Sequence, residues 1–224
     1  MAIRTARPRT PDSYTAAELK ADLAIHSIGT LAGAVAVIVL LNIAIRNHGG
    51  PHFTAILVYA VGLLAMLGFS AAYNLTPPSR WKEALRRCDH GAIFLMIAGT
   101  YTPFVASIDD PRWRWGLMST IWLTALAGLV TKLAFPRRLE SGFVFIYLGL
   151  GWIALIALQP IFASLAASTI SLLAAGGVLY TIGVVFHLWK RLRFHNAIWH
   201  ALVVVAAGFH YFAVLFGVAS ASAG

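Results

Sequence analysis

The chain has 224 residues, of which 59% are hydrophobic and 11% charged, a balance far from that of a soluble domain. Its formal charge of +9 would suit nucleic acid, but the basic residues sit in short links between long apolar runs, so a nucleic-acid partner is excluded in favour of insertion into a membrane. At about 20 residues per span, the length allows roughly six to eight transmembrane helices in one bundle and leaves no room for a soluble domain.

Residues 1–22 are polar and basic and lack the apolar centre of a cleaved signal peptide, so this segment is expected to stay on the cytoplasmic side. Thr15 and Glu18 have the spacing of a capping box, which predicts a helix that starts there and runs on into a first span over 23–45. Asp22 and His26 lie one turn apart near the start of that span. A Gly-rich link ending in Pro51 leads to a second span over 53–75, stopped by Pro77 and Pro78. Ser70 and Asn74 share a helix face at its end. The next link carries Arg80, Lys82, Arg86 and Arg87, with Glu83 spaced to pair with Arg87.

Asp89 and His90 open a third span over 90–107, in which Pro103 is expected to kink the helix while Thr100 and Thr102 satisfy freed carbonyls. A fourth span covers 115–135, behind tryptophans that suit a membrane interface. The fifth covers 143–158 and is expected to end at Pro160. It contains GLGW, Gly149 to Trp152, small residues that predict close approach of neighbouring helices. A sixth span over 169–188 and a basic link lead to the seventh, over 197–218. Asn196 and His200 are one turn apart at its start, His187 and His195 are expected to snorkel at the same interface, and His210 is assigned to packing or to the opposite half of the bundle. Cys88 is the only cysteine, so neither an intrachain disulfide nor a CxxC motif exists.

Counting basic residues by link tests the orientation. Fourteen of the seventeen Lys and Arg fall in the amino-terminal segment and the even-numbered links, leaving Arg46, Arg112 and Arg114 for the other side. By the positive-inside rule the amino terminus is then cytoplasmic and the carboxyl terminus outside. The same orientation brings Asp22, His26, Ser70, Asn74, Asp89, His90, Asn196 and His200 to one depth. Such groups are costly in hydrocarbon, so they form either a packed polar network or a functional pocket.

These residues carry a resemblance. ELKADLAIHSIG at Glu18 to Gly29, SAAYN at Ser70 to Asn74, DHGAIFLMIAGTYTPF from Asp89, YLGLGW from Tyr147, GGVLYTIG from Gly176 and NAIWH at Asn196 to His200 resemble the bacterial hemolysin III proteins, grouped with the adiponectin and progestin receptors and the alkaline ceramidases. The resemblance implies an all-α, seven-transmembrane-helix domain over 23–219, multi-pass in the bacterial inner (plasma) membrane, with membrane lipid as its partner. It also implies a cytoplasmic-side zinc site with Ser-x3-His, Asp and His-x3-His as its pattern. Ser70, Asp89 and His200 match that pattern, whereas Asn74 and Asn196 stand where it has histidines. A carboxamide oxygen is a hard, weak ligand and a poor substitute for imidazole on zinc.

The usual three-histidine site therefore cannot form, and two expectations stay open. In one, the polar residues are a hydrogen-bonded pocket without metal. In the other, a rearranged set of His26, Asp89 and His200 holds zinc, with Ser70 or Asp89 orienting or deprotonating water for hydrolysis of a lipid amide or ester. A pore is a third reading, but the sequence offers neither an amphipathic pore-lining strand nor a repeated ring of charge.

Overall fold

The capping box forms as spaced: Thr15 N donates to Glu18 Oε2 at 2.8 Å and Glu18 N to Thr15 Oγ1 at 3.3 Å, which starts helix α1, Ala16–Asn47. In the computed structural model the described residues are 14–47, 50–135 and 140–219, and no strand occurs among them. The remaining helices are α2, Gly50–Leu75; α3, Lys82–Ala106; α4, Pro111–Ala134; α5, Glu140–Gly151; α6, Leu158–Ser164; α7, Ala167–Leu188; and α8, His195–Val214, extended by a π turn over Leu215–Ala219. A 3-10 segment, Ile153–Ala157, connects α5 to α6.

Six stretches among the described residues are long and apolar enough to cross a membrane: α1, His52–Leu75, α4, Gly142–Ser164, α7 and His195–Val218. Helix α3 is not one of them, because Lys82, Glu83, Arg86, Arg87 and Asp89 crowd its first turns. Its position accounts for the difference, since it packs against α2, α4, α5 and α8. A helix walled by neighbours meets protein rather than lipid on most of its surface and can carry polar groups that an outer helix cannot.

Helix α3 also begins eight residues earlier than the apolar pattern predicts, so only 76–81 remain as the turn between α2 and α3. Glu83 pairs with Arg86 at 2.9 Å and more loosely with Arg87 at 3.6 Å. Lys82 Nζ reaches back to the carbonyls of Tyr73 and Thr76, closing the end of α2.

Glycines set the tightest seam. A Cβ on Gly62 would lie 3.0 Å from the Leu95 carbonyl oxygen, and one on Gly99 would lie 3.1 Å from that of Val58, so α2 and α3 approach backbone to backbone. Gly149 and Gly151, by contrast, face open space, and the GLGW stretch approaches a neighbour only through Trp152, whose ring would lie 3.3 Å from a Cβ on Gly177 of α7. The stretch marks a break instead, with the α-helix giving way after Gly151 to the 3-10 segment. Pro160 does not end the run; it sits in the first turn of α6, where its missing N–H has no helical partner to lose. In α3, Thr100 and Thr102 donate to the carbonyls of Met96 and Ala98 at 2.8 and 2.7 Å. Each hydroxyl has one proton, so neither serves the Gly99 carbonyl opposite Pro103.

Candidate functional site

Glu18, Asp22, His26, Gly29 and Gly33 repeat at three- or four-residue spacing and are all buried, which makes them one face of α1. That face packs on α8. Gly29 permits the approach, because a Cβ there would come within 2.7 Å of Val204. The seam carries Asp22 and His26 against His200, each only 6–7% exposed.

Asp22 Oδ1 lies 2.6 Å from His200 Nδ1, and His26 Nε2 lies 3.1 Å from the same nitrogen. His26 Nε2 is also 3.7 Å from Asp22 Oδ2. The two rings face each other at a centroid distance of 4.3 Å. One donor atom from each of the three side chains therefore falls within 4.8 Å of the other two. A neutral Nδ1–H can serve the carboxylate or the facing imidazole well, but not both. Three lone-pair donors this close together could hold a cation. Asn196 Nδ2 donates to Asp22 Oδ2 at 3.2 Å, so the side chain that departs from the histidine pattern holds the carboxylate in place.

The first turn of α8 is itself fixed from α1. Glu18 Oε1 accepts from the Phe194 N–H at 3.0 Å, and Phe194 adopts a left-handed backbone (φ 61°) just before the helix. Tyr14 Oη and His195 Nε2 are 3.2 Å apart. Between these groups and Asp22 lies a cavity of about 10 Å³, room for one water.

A second polar group adjoins the first across α2 and α3. Asn74 Nδ2 donates to the Ser70 carbonyl at 2.9 Å, turning back on its own helix. The Ser70 hydroxyl is hydrogen-bonded to the Asp89 carboxylate, and His200 and Lys82 lie within electrostatic reach of Asp89. Tyr147 Oη donates to the His90 carbonyl at 2.9 Å, and the His90 ring meets Tyr73 edge-on.

His26 and His200 thus meet, while the carboxylate in contact with them is Asp22 and Asp89 sits with Ser70. The signal for Asp22 was its register: it is one turn from His26 on the same face. His195 and His187 do not snorkel. His195 is 1% exposed, and His187 packs against Trp199 with its Nδ1 buried and unpartnered.

The model for haemolysin-III-related proteins matches residues 20–211. The chain is 34% identical over 203 residues to the hemolysin-3 homolog of Bacillus subtilis, covering 91% of this chain and 95% of that protein. This chain belongs to the haemolysin-III-related family. Hemolysin-3 of Bacillus cereus is 34% identical over 191 residues, 85% of this chain and 87% of its own. More distantly, the human monocyte to macrophage differentiation factor is 27% identical over 170 residues, 70% of this chain and 67% of its own. The family match takes in Asp22, His26, Ser70, Asp89, Asn196 and His200, with Tyr14 and Glu18 just outside it. With its apolar helices, this haemolysin-III-related chain is a multi-pass membrane protein.

Proposed function

We propose that the protein is a seven-span component of the bacterial inner membrane, amino terminus in the cytoplasm, that hydrolyses an amide or ester bond of a membrane lipid at a metal centre held by Asp22, His26 and His200. The observation that carries the reading is the convergence of those three buried donors within 4.8 Å. Two imidazoles and a carboxylate suit zinc in both ligand type and number. Zinc held there would supply Lewis acidity toward a carbonyl and toward water.

The chain's own residues supply the rest. Asn196 orients Asp22 through its amide and leaves the other carboxylate oxygen for the centre. Asp89, held by the Ser70 hydroxyl and within reach of His200, is placed to accept a proton from an attacking water and return it to the leaving group. Lys82 anchors the end of α2 that carries Ser70 and Asn74. Helix α3 is counted as the seventh span on its central position, despite its polar start.

Elemental analysis of protein purified without a histidine tag or chelator tests the centre. Zinc near one equivalent, lost in His200→Ala and in His26→Ala, is expected, together with turnover of a fluorescent ceramide-like lipid. Absence of metal in the wild type would instead leave Asp22, His26 and His200 as a hydrogen-bonded network, a reading supported by the direct 2.6 Å contact of Asp22 with His200. For the topology, an alkaline-phosphatase fusion at Gly224 should be active and one after Arg138 inactive; the opposite pattern would overturn the orientation.

A further inference from the structure

A different set of polar groups lies deeper in the bundle. Tyr59, on α2, is completely buried and its hydroxyl has no hydrogen-bond partner among the described residues. The hydroxyl of Tyr180, on α7, is likewise buried and unpartnered. Tyr180 and Tyr211, the latter on α8, both lie within electrostatic reach of the Tyr59 hydroxyl. Phenols from three helices are therefore gathered in one region. Tyr59 precedes Ser70 by eleven residues on α2, which separates this region from the Asp89 group by about 16 Å of helix.

The surroundings have been shaped to admit these rings. His210 stands 5.4 Å from Tyr180, ring centre to ring centre, and its Nε2 donates to the Leu173 carbonyl at 3.2 Å. Gly176 makes the space, since a Cβ there would lie 2.4 Å from the His210 ring. His210 thus spends that N–H on backbone, and the two phenols remain as donors with no acceptor among the described residues.

A phenylalanine at either position would fill nearly the same volume without burying an unsatisfied hydroxyl, so two orphaned donors in one apolar region call for an acceptor from outside the chain. The gathered groups are phenols and an imidazole, without a carboxylate or cationic side chain among them. Such groups favour a neutral oxygen over an ion. We propose that Tyr59 and Tyr180 form a binding site for a neutral oxygen acceptor between α2, α7 and α8, supplied either by a lodged water or by the carbonyl or hydroxyl of a membrane lipid.

The test uses the full chain in detergent, with Tyr59→Phe, Tyr180→Phe and the double variant compared by thermal melting, and with lipids extracted from each and measured by mass spectrometry. Each single substitution is expected to lower the melting temperature by a few degrees, and the double variant by no more than the larger single effect, because both hydroxyls act through one shared partner. A lipid present near one equivalent in the wild type and lost in the double variant identifies the lipid as the source. The same melting pattern with no lipid difference identifies water. Phe variants as stable as the wild type, or a double variant whose loss is the sum of two independent losses, would overturn the shared site. Zinc content is expected to stay unchanged throughout, so the outcome is independent of the metal reading.

Discussion

Asp22 and Asp89 are two interior carboxylates at the same end of the bundle, and their partners differ in kind. Asp22 is met by the ring nitrogen of His200, with His26 close by and the Asn196 amide on its other oxygen. Asp89 is met by the Ser70 hydroxyl, with His200 and Lys82 only within electrostatic reach. A carboxylate among imidazole nitrogens is placed as a ligand, whereas one beside a hydroxyl keeps an oxygen for proton transfer. On the proposed function, the pair divides binding from chemistry between two seams, α1 with α8 and α2 with α3.

The division is broken most directly by removing each carboxylate in turn. Asp22→Ala leaves two imidazoles facing each other without their carboxylate, so zinc is expected to fall from near one equivalent to background. The protein should also lose about 1–3 kcal/mol of stability, the usual cost of removing one partner of a buried hydrogen bond to a charged group. Asp89→Ala is expected to keep its zinc. Elemental analysis of both variants decides the matter, and loss of zinc in Asp89→Ala with retention in Asp22→Ala would reverse the two roles.

Activity sharpens the same contrast from the other side. Asp89→Asn removes the proton acceptor while preserving shape, and turnover of a fluorescent ceramide-like lipid should drop by about 10²–10⁴-fold, the usual contribution of a positioned acid or base. The Asp22–His26–His200 centre is untouched by that change. A variant that retains both zinc and full turnover would remove Asp89 from the chemistry.

Much of the bundle was legible because its signals are local. The Thr15–Glu18 cap, the end of α2 before Pro77 and the pairing of Glu83 with Arg87 follow from spacing within one segment, whereas the start of α3 at Lys82 lay hidden under charges that read as a link. The centre was only half legible, because spacing tells which residues share a face and not which faces meet. Asp22 and His26 were on one face in the sequence; that this face lies on His200 depends on Gly29 admitting Val204, a contact between residues far apart in the chain. Asn196 reads in sequence as a ligand lost, yet its amide is the donor that holds Asp22. Gly149 and Gly151 misled for the same reason, since a small residue permits a close approach only where a neighbour arrives.

Asn196 offers a smaller perturbation. Asn196→Ala deletes the amide that fixes Asp22 Oδ2 but leaves all three donors, so the centre should persist with weaker affinity. Loss of an outer partner of this type costs about 10–100-fold in metal affinity. Competition with a chromophoric chelator measures it. An unchanged affinity would mean that Asp22 is held without the Asn196 amide, by His200 and packing.

The smallest expected change in metal content, and the sharpest test of the contrast between the two seams, comes from restoring histidines at both departures. Asn74 stands on α2 beside Ser70, the Asp89 side of the pocket, while Asn196 stands one turn before His200 on α8. A chain carrying Asn74→His and Asn196→His gains two imidazoles around Asp89 and His200 while losing the amide that holds Asp22. Zinc is expected to remain near one equivalent, but its ligands should shift toward the second seam. In that background His26→Ala, which empties the wild-type centre, is expected to leave zinc bound. If His26→Ala still removes the metal, the α1–α8 seam sets the ligand geometry irrespective of the asparagines, and the two carboxylates are not interchangeable partners of His200.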